Sequence, residues 1–60
     1  MVYTARRIGD GYIVTKPSKL IINDEQAMDL VAVEDTYNAA SKKAQADAAA
    51  NDTSFLLILE

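Results

Sequence analysis

Cysteine, histidine and tryptophan are all missing from this chain, and each absence closes a route. Without cysteine there is no disulfide staple and no thiolate chemistry; without histidine there is neither an imidazole base nor a zinc finger. Proline occurs once and glycine twice, so the points at which the backbone can break or reverse are few: Gly9, Gly11 and Pro17. No apolar run exceeds the five residues Phe55 to Leu59, far short of the roughly 20 that span a bilayer. Arg6 and Arg7 interrupt the N-terminal stretch before a signal-type core can form. These absences lead to the expectation of a cytoplasmic protein with no membrane partner and no cofactor.

At 60 residues the chain is expected to be one small domain, residues 1–60, near the size at which only about 60% of the unfolded surface is buried and oligomerisation commonly supplies the missing stability. The net charge is −3, unevenly placed. Residues 1–22 carry Arg6, Arg7, Lys16 and Lys19 against Asp10 alone, whereas residues 23–60 carry Lys42 and Lys43 against eight carboxylates. A basic N-terminal part and an acidic remainder attract one another within a fold or between copies.

Residues 2–8 and 12–15 are rich in strand formers, and Gly9-Asp10-Gly11 between them is a hairpin turn signal, with the Asp-Gly pair suited to positive φ. Ile8 is expected opposite Tyr12 or Ile13, depending on the turn. Pro17 marks an edge, a bulge or a turn. Leu20-Ile21-Ile22 reads either as a third strand or as the second strand resumed.

Asn23 followed by Gln26 has the form of a capping box, with Asp24 and Glu25 at the positive end of a helix dipole. The spacing predicts a helix from residue 24 to 50. Leu30, Val33, Tyr37, Ala40, Ala44 and Ala48 fall on one stripe at 100° per residue. Asp35 or Thr36 is an alternative cap for a second helix, because residues 34–38 are the weakest helical stretch. Asn51 suits the left-handed position that ends a helix.

Phe55 to Leu59 reads as a strand needing cover on both faces. The order strand, helix, strand is the grammar of a crossover unit, which would place this last strand parallel to residues 20–22. The expected fold is therefore α+β: an N-terminal β-hairpin followed by a βαβ unit, giving a small mixed sheet of three or four strands with one long helix packed on one face. The terminal Leu59-Glu60 pair is compatible with native sequence or with a vector junction.

The inventory for chemistry is thin. Ser41 and Lys42 are helix neighbours that diverge by about 100° and cannot act on one another. Glu25 and Asp29, placed i,i+4 on one helix face, are two ligands on an exposed surface and do not make a metal site. Gly9-Asp10-Gly11 joins two strands and carries an acid, unlike a phosphate-binding loop. Arg6, Arg7, Lys16 and Lys19 form a candidate basic surface, with Tyr3 and Tyr12 as stacking groups. Arg6 and Arg7 point to opposite strand faces and the chain is acidic, which argues against nucleic acid. No catalytic, cofactor or metal residues are assigned.

The expected function is a non-enzymatic interaction module that self-associates, as a homodimer or larger, to cover its apolar sheet face. Candidate interface residues are Phe55, Leu56, Leu57, Met28, Tyr37, Ala44 and Ala48. The alternative is a small acidic regulator that blocks a larger enzyme or nucleic-acid-handling protein with the helix carrying Glu25, Asp29 and Asp35.

Overall fold

The computed structural model describes all 60 residues, Met1–Glu60. Strand β1 (Val2–Ile8), strand β2 (Gly11–Ile22), strand β3 (Glu25–Glu34), helix α1 (Tyr37–Ala50) and strand β4 (Leu56–Leu59) follow in chain order. The four strands form one mixed sheet in the order β3-β2-β1-β4. β1 and β2 are antiparallel, as are β2 and β3, while β4 is parallel to β1. The hairpin, the mixed sheet and the single helix on one face agree with the α+β expectation.

The first hairpin closes with Ile8 opposite Gly11 and Arg7 opposite Tyr12, one step tighter than the expected register. Gly9 supplies the positive φ, at 57°, in the first of the two loop positions, a left-handed backbone that glycine adopts without the strain an L side chain brings. Gly11 serves a different need. A Cβ there would meet the Glu34 carbonyl oxygen at 2.9 Å, so β3 runs past it only because the position is bare.

The expected helix start at Asn23 is corrected. Asn23 and Asp24 have φ of 53° and 64° and form the two-residue turn between β2 and β3, with Ile22 opposite Glu25. The short polar side chain that makes Asn a good cap also makes it tolerant of left-handed backbone, so one residue type serves both roles. Residues 20–22 continue β2 after a bulge between Pro17 and Ile21. The Ser18 hydroxyl accepts from the Leu20 amide there, and Gln26 Nε2 donates to the Ser18 carbonyl.

Helix α1 starts at Tyr37 with Thr36 as its cap, the alternative to a continuous helix from residue 24. Thr36 has extended φ and ψ of −126° and 155°, and its Oγ1 accepts from the Ala39 amide at 3.1 Å. The helix ends in a Schellman arrangement: Thr53 N donates to Ala48 O and Asp52 N to Ala49 O, with Asp52, not Asn51, left-handed at φ 53°.

From the end of β3 the helix crosses to the opposite edge, where β4 pairs with β1 in the register Val2–Leu56 through Ala5–Leu59. The expected parallel alignment of β4 with residues 20–22 is thus corrected as well: β4 is parallel to β1, which is antiparallel to β2, so β4 runs antiparallel to residues 20–22 with β1 between them. α1 lies mainly over β3 and β2, and barely over β4. The core is the small cluster Tyr3, Ala5, Val14, Ala40, Ala44 and Ala48, with Tyr12, Val31 and Leu57 packed against it. Alanine at every fourth helical position lets the helix backbone approach the sheet closely. No helix is long and apolar enough to cross a membrane.

Candidate functional site

Cross-strand register divides the sheet residues between two faces, because directly paired residues point the same way. Ala5 pairs with Val14, and Val14 with Ala32, on the helix side. Thr4 pairs with Thr15, Thr15 with Leu30, and Thr4 with Ile58, on the other side. A bulge in β3 between the partners of Val14 and Thr15 lengthens the local repeat, so that Met28, Leu30 and Val33 all project to that second face.

Nothing in the chain covers this open face. Leu30 and Val33 on β3 are 62% and 64% exposed, and Leu56 and Ile58 on β4 are 55% and 48% exposed. Ile13 on β2 and Val2 on β1 complete an apolar surface drawn from all four strands. Its charged residues are a pair, Arg6 donating to Glu60 at 3.1 Å. The chain exposes 4361 Å² in all, against about 3800 Å² for a compact monomer of 6.5 kDa. The β2–β3 arm adds to the excess. It extends beyond the last β1 pairing, and Leu20, Ile21 and Ile22 at its end are all exposed.

The helix side contains the chain's polar cluster. Asp47 Oδ2 accepts from Tyr3 Oη at 2.7 Å and from Lys16 Nζ at 2.8 Å. The hydrogen bond from Lys16, then that from Tyr3, holds the Asp47 carboxyl below the usual carboxylate range. The same hydrogen bond holds the Lys16 ammonium above its ordinary value, and burial, followed by the hydrogen bond to Asp47, raises the Tyr3 phenol. A shallow cleft of about 390 Å³ lies beside this cluster, lined by Lys16, Ser18, Lys19, Asp29 and Thr53 among others. Lys16 is held as an ammonium by Asp47, and the Ser18 hydroxyl accepts from the Leu20 amide. Neither is activated for nucleophilic attack.

The structure distributes the sequence candidates as follows. Leu56 lies on the open face, and so does Met28, on a strand instead of the expected helix. Leu57 points to the helix side and packs against the core. The Phe55 ring sits 5.8 Å from that of Tyr3, and Tyr37 stacks edge-on against Tyr12 at 5.8 Å. Ala44 and Ala48 are buried between helix and sheet, so they are not available to a twin helix.

The acidic candidates do not share a helix. Glu25 and Asp29 lie on β3 and Asp35 precedes α1, whose single carboxylate, Asp47, is held internally. As i,i+4 residues on a strand, Glu25 and Asp29 are about 13 Å apart along the chain, and no group of three or more potential metal ligands converges anywhere. Of the basic candidates, Lys16 and Lys19 meet at the cleft, whereas Arg7 lies elsewhere on the helix side and Arg6 on the open face. Tyr3, a candidate stacking group, is fully buried. Sequence reasoning missed Val2, Ile13, Leu30 and Val33, the last two placed there on a buried helix stripe. The signal that could have revealed those two is β-branching at Val31 and Val33.

Comparison with known proteins leaves the geometry to speak alone: no family model matches the chain, and no curated protein or solved structure matches it.

Proposed function

We propose that this chain is a non-enzymatic protein-interaction module that self-associates by stacking the open sheet face of one copy on that of another. The observation that carries this reading is the uncovered face itself, apolar on all four strands. Its dimensions fit a second copy. The molecule measures 32 × 27 × 14 Å, and its broad side matches the roughly 800 Å² per partner that a stable interface buries.

Charge supports the same occupant. Face-to-face stacking of identical surfaces places like groups near one another, which penalises any unneutralised charge. Arg6 and Glu60 on this face already neutralise one another. Two sheets packed in this way lie about 10 Å apart with interdigitated side chains. The reading needs no cofactor, and with no cysteine to oxidise it is compatible with a cytoplasmic setting.

Light scattering across a dilution series tests it. The expected mass is at least twice that of one chain, and Leu30→Lys, which buries a charge at the contact, is expected to reduce it while leaving the circular dichroism spectrum unchanged. A wild-type protein that is monomeric at every concentration, or a Leu30→Lys protein of unaltered mass, would overturn the reading.

A further inference from the structure

The sheet has two outer edges, and they differ in what they offer. The β3 edge is ten residues long and carries Glu25, Asp29 and Glu34. Pairing two such edges antiparallel along their full length sets Glu25 of each copy opposite Glu34 of the other, a like-charge contact that disfavours the pairing. The β4 edge carries no charge from Phe55 to Leu59, no proline, and almost no cover from the helix.

The backbone at this edge is unpaired in a specific pattern. Glu60 N donates to Ala5 O at 2.8 Å, so residues of that parity, 56, 58 and 60, turn their amides and carbonyls toward β1. In a parallel pair the intervening residues turn theirs the other way. The N–H and C=O of Leu57 and Leu59 therefore point out of the sheet, where the chain provides no partner for them.

We infer that the β4 edge is a strand-addition site, occupied by β4 of a second copy in antiparallel pairing. Hydrogen-bonding parity requires an outward-facing residue opposite an outward-facing residue. The register with most overlap places Leu57 opposite Leu57 of the other copy, and Phe55 opposite Leu59. Glu60 then stands opposite Ser54, so no carboxylate meets another. The two-fold axis runs perpendicular to the sheet, and Leu56 of each copy falls opposite Ile58 of the other. The two open faces thereby become one continuous apolar surface. The inference rests on the self-association proposed above and assigns it a second contact; with both in use and their two-fold axes intersecting, the assembly closes as a tetramer.

Amide hydrogen exchange on the wild-type protein, read by NMR, tests the edge without altering it. Leu57 and Leu59 have no acceptor within the chain, so edge pairing is expected to slow their amides to within about tenfold of Ile58. Face stacking alone leaves them exchanging freely. Fast exchange at both positions beside a slow Ile58 would overturn the inference. Leu59→Pro gives the second readout, since it removes an outward N–H and leaves the β1 ladder intact. A twofold fall in mass with an unchanged circular dichroism spectrum is expected, and an unchanged mass would count against the edge. Leu30→Lys separates the two readings: if it leaves the mass unchanged while Leu59→Pro halves it, the face fails and the edge stands, and the reverse result sinks the edge alone.

Discussion

Val14 and Val33 are the same residue in neighbouring strands of one sheet, yet Val14 is fully buried under the helix and Val33 is 64% exposed on the opposite side. The covered side achieves burial with little material: one tyrosine, one valine and a row of alanines, closed by the Tyr3–Asp47–Lys16 hydrogen bonds. The open side carries more and larger aliphatics and buries none of them fully. In a monomer that distribution is inverted, since burial of large side chains is what stabilises a fold. It becomes sensible when the open side is the contact surface.

The contrast can be broken most severely on the covered side. Ala44 is fully buried against the sheet, and Ala44→Glu places an unpaired charge there. The expected loss of about 3–5 kcal/mol matches the whole stability a core of this size supplies. The variant should lack a cooperative thermal transition, and a folded spectrum with a normal melt would show that the helix can lift from the sheet.

Next in size, the two valines can be compared directly by truncation. Val14→Ala leaves a cavity under the helix and is expected to cost on the order of 2 kcal/mol. Val33→Ala, measured in dilute solution, should stay within about 0.5 kcal/mol of wild type, as surface changes do. At higher concentration the Val33→Ala effect should grow, because stability gained through self-association scales with protomer concentration. Denaturant titrations at two concentrations check both. Equal effects at the two sites would mean that the open face is covered within the chain.

The smallest effect concerns the polar closure of the covered side. Asp47 has a lowered pKa when folded, so its contribution is fully present above the unfolded value near 3.9 and is lost as pH falls through the folded value. Tyr3 and Lys16 are raised, so their contributions are fully present below about pH 10 and decline as pH rises beyond it. Thermal melts between pH 2 and pH 5 should show a steeper decline for wild type than for Asp47→Asn. Parallel curves would remove the carboxylate from the account of acid stability.

Much of this was legible in local chemistry. Gly9 marks the hairpin and Ala40, Ala44 and Ala48 the buried helical stripe, because each signal depends on atoms within a few residues, while Thr36 was legible only as the alternative to a start at Asn23. The acidic and apolar surfaces were misplaced for a physical reason. Residues 25–34 include the strong helix formers Glu25, Gln26, Ala27, Met28 and Leu30, yet they pair along β2 as a strand. Leu30 and Val33 fit the helical spacing to Ala40 and Ala44, but a β-bulge produces the same three-residue step on a sheet face. The expected contact surface of Phe55 to Leu59 was correctly located as a strand, while its division into outward Leu56 and inward Leu57 needed the register.

The sequence by itself determined the first hairpin turn, the alanine stripe of the helix, the small supply of apolar residues and the absence of imidazole and thiol chemistry, all properties of composition or of near neighbours. Tertiary structure alone decided that residues 25–34 are a strand and that β4 joins β1 at the far edge, leaving one face and the two outer edges, β3 and β4, without partners in the chain. Strand pairing joins residues more than fifty positions apart, as Val2 and Leu56 are. Such a choice is made by which edges remain free once the other strands have paired, which no local signal encodes.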